Sequence, residues 1–236
     1  MSAYVPENPL IVQSDHTVLL EVHSPHAEVA REAIVPFAEL LKSPEHIHTY
    51  RITPLSIWNA RAAGLDTQAM IAVLDRYAKY PVPAGVAQEI EALGRRYGLV
   101  VLERDDLGLV MRVSDAPLAE LLARDRLVAP LLGERLAELR FRIRLEVRGL
   151  LKQALVTIGY PADDLAGYAE GQELPLRLRQ TTIDGADFMV RDYQHAAAAA
   201  FYQGGEARGG SGVIVLPCGA GKTIVGMAAM ALVQEN

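Results

Sequence analysis

The stretch Val213-Ile-Val-Leu-Pro-Cys-Gly-Ala-Gly-Lys-Thr223 determines the fold class that this sequence predicts. Its β-branched run breaks into a glycine turn, and the helix-forming segment Ile224 to Gln234 follows directly. This order predicts a strand, a phosphate-binding loop and a helix. The usual pattern would place its first glycine where Leu216 stands, so the match to the motif is incomplete.

Each part of this stretch has a mechanical role in holding a polyphosphate. Small residues from Gly219 to Gly221 let backbone N–H groups turn inward, because glycine accepts the positive φ angles that such a nest needs. The N-terminus of the following helix adds its dipole, Lys222 supplies an ammonium group, and the Thr223 hydroxyl can reach Mg²⁺. An accidental Gly-Lys-Thr in an ordinary loop is the alternative interpretation.

Composition limits the classes of protein that this chain can represent. With 236 residues it has room for two domains, and its net charge of -6 means that DNA contact requires a local basic patch. Its single cysteine, Cys218, excludes a disulfide framework and fits a reducing compartment. Neither a signal segment nor an apolar run of about 18 residues is evident, so we expect a cytoplasmic protein without a membrane span.

The position of the predicted phosphate loop suggests a truncated ATPase domain. A phosphate-loop ATPase core is a mostly parallel sheet, yet only 13 residues follow Thr223 in the sequence. One strand cannot form a sheet. We therefore expect the catalytic domain to continue beyond Asn236, and the overall fold class to be α+β modules followed by the start of an α/β domain.

The first 130 residues predict a compact α+β unit. Short apolar runs on either side of Ser14 to His16 predict a hairpin, and apolar spacing predicts one long helix from Ala27 to Leu41. Thr53 with Pro54 and, further on, Asp66 are predicted to begin two more helices.

A basic segment follows this unit. Between residues 118 and 152 the sequence has eight basic and five acidic residues, and Arg140-Phe-Arg-Ile-Arg144 alternates as a strand with one basic face would. Leu176-Arg-Leu-Arg179 repeats the alternation. Arginine donates hydrogen bonds in pairs, so the side chains of Arg140, Arg142, Arg144, Arg177 and Arg179 are candidate contacts to a DNA backbone. An ordinary solvated sheet face remains the alternative.

A candidate base-recognition segment lies upstream of the phosphate loop. Arg191-Asp-Tyr-Gln194 precedes an alanine-rich helix, and a glutamine amide offers one acceptor and two donors to an adenine edge. Taken together with the loop, this segment resembles the adenine-sensing and phosphate-loop motifs of the XPB helicase family in helicase superfamily two. That family also tends to replace the first loop glycine, as Leu216 does here. The resemblance extends to Asn8 to Asp15, Thr49 to Asn59, Tyr80 to Pro83, Leu150 to Leu155 and Gly159 to Pro161.

The resemblance implies an N-terminal domain at residues 1–130, a damage-recognition module at 131–185 and the beginning of a RecA-like motor domain at 186–236. It implies ATP-driven 3′-to-5′ unwinding of duplex, forked or damaged DNA in repair, with a repair nuclease or another repair protein as a candidate partner. The cofactors would be ATP and Mg²⁺, with Thr223 as the metal-holding hydroxyl. The implied nucleotide-binding residues are Arg191, Gln194, Pro217, Cys218, Gly219, Ala220, Gly221, Lys222 and Thr223. The family's later motifs are absent before Asn236, so we expect no useful ATP turnover from this sequence alone.

Two other classes of function stay open. One is a non-catalytic adaptor that binds DNA or a partner and retains a vestigial loop, and the other is a phosphate-loop kinase, for which no acceptor site is evident. Histidines 16, 23, 26, 46 and 48 also allow a metal site, against surface or hydrogen-bonded roles. Asp163 and Asp164 could form a metal or acid/base pair, but their position after a turn and before Leu165 favours the cap of a short helix. Trp58 and its neighbouring tyrosines favour core packing over base stacking.

Overall fold

The structure is a computed structural model that describes residues 4–167, 172–206, 209–210, 214–216 and 219–234. It divides into two compact units. The first comprises Met1–Val101 with Val110–Asp163, and the second comprises Leu102–Leu109 with Asp164–Asn236. The three-part domain division that the sequence suggests, 1–130, 131–185 and 186–236, stays a prediction.

The first unit opens with an antiparallel sheet of four strands. They are ordered β1-β2-β4-β3, where β1 is Leu10–Val12, β2 is Thr17–Glu21, β3 is Glu39–Lys42 and β4 is Ile47–Arg51. The turn between β1 and β2 is the predicted hairpin, and His16 there adopts φ +69°. Val18 lies opposite Tyr50 in the register, and both are buried in the core of this sheet.

Four helices pack around this sheet: α1, Ala27–Ile34; α2, Pro54–Ala62; α3, Thr67–Tyr77; and α4, Ala84–Gly94. The sequence signals for two of them are confirmed. Thr53 caps α2 by accepting from the Ser56 backbone N–H at 3.0 Å, and Asp66 caps α3 by accepting from the Gln68 N–H at 3.2 Å. Their inward residues, among them Ile57, Met70, Leu74 and Ile90, are buried in the same core as the sheet.

The predicted helix from Ala27 to Leu41 is wrong in its second half. Helix α1 ends at Ile34, Phe37 turns into the core, and the chain continues as strand β3. Leu40 and Leu41 fit the helical spacing, but they are 54% and 50% exposed on an edge strand. Hydrogen bonding to β4 determines this segment's conformation, and that partner lies outside any local sequence window.

A second sheet of five strands has the order β7-β8-β6-β5-β9. Its strands are β5, Val100–Asp105; β6, Gly108–Val113; β7, Arg135–Ala137; β8, Arg140–Ile143; and β9, Ala162–Asp164. In the sequence, helix α5, Ala116–Arg124, follows β6, and helix α6, Arg148–Thr157, lies between β8 and β9. The predicted short helix capped by Asp163 and Asp164 is therefore wrong, since both residues lie in the edge strand β9, where Asp163 is 9% exposed.

The second unit contains a pair of helices, α7, Asp192–Tyr202, and α8, Lys222–Val233. The predicted strand at Val213 to Leu216 is not formed in its described part, residues 214–216, and Val215 is 86% exposed. Residues 214–216 pair with no strand in the described part of the chain. Residues 176–179 likewise alternate in exposure without forming a strand.

Candidate nucleotide-binding site

The site is built from Gln194, the third residue of α7. Its Oε1 accepts a hydrogen bond from the Arg191 backbone N–H at 3.0 Å, which satisfies a donor that the beginning of a helix leaves unpaired. The side chain is 5% exposed, so it is buried within the unit. Gln194 is thus fixed by its own helix before any ligand is considered.

The other end of the same amide holds the phosphate loop. Gln194 Nε2 donates to the carbonyl oxygen of Ala220 at 3.0 Å, and the Tyr193 hydroxyl donates to that oxygen at 2.7 Å. A weaker contact of 3.4 Å joins Gln194 Nε2 to the Tyr193 oxygen. Two consecutive residues of α7 therefore converge on one carbonyl of the loop.

The backbone of the loop requires glycine at two places. Gly219 and Gly221 have φ angles of +80° and +74°, in the left-handed region that side chains disfavour. A Cβ atom on Gly221 would stand 2.6 Å from Gln194 Nε2, whereas one on Gly219 would meet nothing within 4 Å. Gly221 is therefore required by its angle and by its contact, and Gly219 by its angle alone.

Lys222 and Thr223 form the first turn of α8, and both are exposed. Gly221 is the N-cap residue, and its carbonyl accepts from the backbone N–H groups of Ile224 and Val225 at 2.9 and 3.2 Å. An ammonium and a hydroxyl group thus lie at the positive end of a helix of 12 residues. Pro217 and Cys218, which the sequence also assigns to the loop, lie outside the described residues.

Helices α7 and α8 pack through small side chains. Ala198 of α7 is buried with Val225, Ala228 and Ala229 of α8, and Leu216 packs partly buried against this cluster. Alanines let the two helix backbones approach closely, which places the start of α8 beside the start of α7. The alanine-rich composition of α7 therefore has a packing function within the site.

This arrangement can bind an anion. The N-terminus of α8, the Lys222 ammonium and the glycine-rich turn offer positive charge and backbone donors at one place. Gln194, Gly219, Ala220, Gly221, Lys222 and Thr223 lie together in the structure, and their nucleotide-binding roles stay predictions. The sequence did not identify Tyr193 as part of the site, although it stands inside the quoted Arg-Asp-Tyr-Gln segment.

The strand predicted at residues 140–144 forms over Arg140–Ile143, so the prediction is wrong for Arg144. In β8 the side chains of Phe141 and Ile143 are buried at 3% exposure each, while Arg140 and Arg142 are half-buried on the opposite face and Arg144 is exposed beyond the strand. Arg140 and Arg142 also make contacts within the protein. Arg177 and Arg179 are exposed in the second unit, but they lie outside any helix or strand.

Arg135, on the strand beside β8, already has hydrogen-bond partners within the protein. Arg135 donates to Glu120 at 2.6 Å and to the Glu138 carbonyl at 2.7 Å, and it lies 5.3 Å from the centre of the Phe141 ring. The hydrogen bond and charge of Arg135 lower the pKa of Glu120. The positive charge of Arg135 is therefore partly compensated at the protein surface.

Other sequence candidates are explained by contacts within the protein. His23 Nε2 and His46 Nδ1 are 2.9 Å apart and His16 lies 3.0 Å from Glu89, but in the described chain no three histidine, cysteine or carboxylate side chains converge on a metal position.

Trp58 is buried and donates to the Leu93 carbonyl at 2.9 Å, which confirms core packing. Tyr80, one of the tyrosines that the sequence groups with Trp58, is 49% exposed and lies outside the core. No described helix is long and apolar enough to cross a membrane.

Comparison with known protein families gives two matches. The family described as helicase conserved C-terminal domain matches residues 10–137, which is more than half of the chain. The family described as type III restriction enzyme, res subunit, matches residues 187–236, the part that contains α7, the loop and α8. The chain is thus a helicase-class protein.

Individual relatives specify the class further. The chain is 47% identical to the DNA 3'-5' helicase XPB of Mycobacterium tuberculosis over 226 residues, 95% of this chain and 39% of the relative. It is equally similar to the Kineococcus radiotolerans protein of the same name. It is 30% identical to the general transcription and DNA repair factor IIH helicase/translocase subunit XPB of Antonospora locustae, covering 97% of this chain and 33% of that protein. The chain belongs to the XPB helicase family and spans about two fifths of the bacterial relatives it matches.

Proposed function

We propose that this chain is the front part of an ATP-dependent 3′–5′ DNA helicase acting in DNA repair, and that it begins the ATP-binding site. The observation that carries the proposal is the convergence of Tyr193 and Gln194 on the Ala220 carbonyl, directly before Gly221, Lys222 and Thr223. It ties a predicted base-sensing segment to a predicted phosphate loop. The similarity to proteins named DNA 3'-5' helicase XPB supports the same assignment.

In this proposal the residues of the loop have separate roles. Backbone donors of the turn bind phosphate oxygens, the Lys222 ammonium neutralises the outer phosphates, and the Thr223 hydroxyl is the group that would hold Mg²⁺. Both side chains are exposed in the first turn of α8, which fits these roles. Mg²⁺ would neutralise charge between the β- and γ-phosphates when bound.

Gln194 already has hydrogen-bond partners within the protein. Its Oε1 already accepts from Arg191 and its Nε2 already donates to Ala220, so an adenine contact would use the remaining lone pair of Oε1, or the second N–H in place of its long 3.4 Å contact with Tyr193. We propose that Gln194 contacts adenine in this way, with Arg191 nearby, while it keeps its hold on the loop. Base recognition and the position of the phosphate loop would then share one side chain.

Lys222→Ala tests the nucleotide site. Equilibrium binding of a fluorescent ATP analogue with Mg²⁺ is expected to weaken at least tenfold, because the exposed ammonium is lost while α8 can still form. Lys42→Ala, a surface change in the first unit, is the matched control. In the helicase that carries this chain, Lys222→Ala is expected to abolish DNA-stimulated ATP hydrolysis, and near-normal turnover would refute the assignment.

A non-catalytic adaptor is the second candidate, and one observation favours it. Residues 214–216 do not form the strand that normally precedes a phosphate loop. An adaptor would bind DNA through Arg140, Arg142 and Arg144 with the same affinity whether or not ATP and Mg²⁺ are present. A helicase is expected to change its DNA affinity when nucleotide binds, so fluorescence anisotropy with forked DNA distinguishes the two.

A further inference from the structure

The carbonyl group of Ala220 is held from one side by two donors. The Tyr193 hydroxyl lies 2.7 Å and Gln194 Nε2 lies 3.0 Å from its oxygen. A carbonyl oxygen has two lone pairs, so this pair of donors uses its full accepting capacity. The carbonyl is therefore fixed toward the start of α7.

This restraint also fixes the next backbone N–H. All peptide bonds of the described residues are trans, and in a planar trans peptide the C=O and N–H bonds point in opposite directions. When the Ala220 carbonyl faces Tyr193 and Gln194, the Gly221 N–H must face away from them. That N–H has no hydrogen-bond partner within the described chain, so it is available to a ligand.

We propose that the Tyr193 hydroxyl is a positioning group that orients the Gly221 N–H toward a phosphate oxyanion. The inference rests on the proposed function, because it assumes that the loop binds phosphate. Tyr193 does not contact the ligand itself in this scheme. It acts through the Ala220–Gly221 peptide, whose rotation would otherwise turn the donor away from the loop and present a carbonyl oxygen to the anion.

Tyr193 and Gln194 are separable because they differ in their other contacts. Gln194 is buried and also accepts from Arg191, so its replacement disturbs the helix start as well as the loop. Tyr193 is 39% exposed, and apart from the long 3.4 Å contact with Gln194 its hydroxyl bonds to Ala220. Tyr193→Phe therefore removes one hydrogen bond to the loop and keeps the aromatic ring in place.

The experiment compares Tyr193→Phe with Tyr202→Phe, the same chemical change at the other end of α7. Binding of inorganic pyrophosphate, ATP and GTP, each with Mg²⁺, is measured calorimetrically on the 236-residue chain. One lost hydrogen bond is expected to weaken all three ligands about fivefold, with the ATP-to-GTP ratio unchanged. The Gly221 amide resonance is expected to shift on pyrophosphate binding in the wild type and to shift less in Tyr193→Phe. Tyr202→Phe is expected to match the wild type in both measurements.

The outcomes separate this inference from the proposed function. Wild-type affinities together with an unchanged Gly221 response in Tyr193→Phe would overturn the role of Tyr193 and leave the nucleotide site intact. A loss confined to ATP would also overturn it, because it would indicate base contact and not peptide orientation. A wild-type chain that binds none of the three ligands would refute the phosphate site, and the role of Tyr193 with it.

Discussion

Gln194 Nε2 donates to the Ala220 carbonyl at 3.0 Å, joining residues that are 26 positions apart in the sequence. The same side chain accepts from Arg191 at the N-terminus of α7, so one buried amide links the start of a helix to the phosphate loop. Loss of either hydrogen bond of this amide is therefore expected to affect both the start of α7 and the loop. This relationship makes the loop part of the packed second unit even though its flanking residues 214–216 form no strand.

Gly221→Ala is expected to disrupt the loop. Alanine at φ +74° costs about 1–2 kcal/mol, and its Cβ would lie 2.6 Å from Gln194 Nε2, which adds about 1 kcal/mol if that hydrogen bond breaks. Gly226→Ala is the matched control, since it lies in α8 with nothing within 4 Å of the added atom. We expect it to stabilise α8 by about 0.5–1 kcal/mol. Circular dichroism melts would measure the stability of each variant, and nucleotide binding would report on its loop. Equal stability and equal affinity in the two variants would contradict the requirement for glycine at position 221.

Gln194→Glu is expected to loosen α7 and α8 together. A carboxylate keeps the acceptor for Arg191 but replaces the buried donor to Ala220 with a second acceptor, at a cost of about 2–3 kcal/mol. Hydrogen exchange of the α7 and α8 amides should quicken in this variant and remain unchanged in Gln180→Glu, where the side chain is exposed. Unaltered exchange in both variants would show that the amide does not hold the loop.

Tyr97→Phe is expected to destabilise the first unit by about 1–2 kcal/mol. The Tyr97 hydroxyl donates to Asp163 Oδ1 at 2.8 Å, and Asp163 is 9% exposed, so the buried carboxylate would lose a donor. Tyr80→Phe is the control, because that residue is 49% exposed and stacks on Tyr4. Urea denaturation compares the two, and similar midpoints would indicate that the hydroxyl of Tyr97 contributes nothing.

Replacing Arg140, Arg142 and Arg144 with glutamine tests the basic strand. If all three contact DNA phosphates, the slope of log affinity against log salt should become shallower by up to about 2.7. Fluorescence anisotropy at several salt concentrations measures this slope. An unchanged slope would identify the strand as a solvated sheet face.

The control for the basic strand is a second triple variant with the same loss of charge. It replaces three arginines outside β8: Arg31 on α1, Arg76 on α3 and Arg95 directly after α4. This variant is expected to alter the salt slope little. If both triple variants reduced the slope equally, the effect would come from net charge and not from the strand.

Asp115→Asn is expected to remove one source of acid sensitivity. Hydrogen bonds from the Ser114 hydroxyl and then from the Leu118 N–H lower the pKa of Asp115 below 3.8 in the folded protein. A lowered pKa stabilises the fold fully above the unfolded value, and the contribution is lost as pH falls through the folded value. Asparagine still caps α5 but cannot titrate. The wild-type advantage in urea midpoint should therefore be constant near neutral pH and shrink below about pH 4, and a constant difference down to pH 2 would contradict this.

Features whose signals are local can be predicted from the amino-acid sequence. Thr53 and Asp66 predict helix starts because a cap needs only a side-chain oxygen and an N–H two or three residues away. The alternation in β8 predicts which side chains are buried because successive residues of a strand face opposite sides. The glycines of the loop were identified for the same reason, since a positive φ is a property of one residue.

Features that depend on a distant partner are visible only in the folded chain. The segment from Glu39 to Lys42 became a strand because β4 pairs with it, although its spacing suits a helix. Asp163 lies in β9 and accepts a hydrogen bond from Tyr97, 66 positions earlier in the chain. Tyr193 contacts the site because its hydroxyl donates to the Ala220 carbonyl, 27 positions later in the chain. Hydrogen bonds between remote backbone and side-chain groups form only after the chain has closed those loops, so residue spacing within a short window carries no record of them.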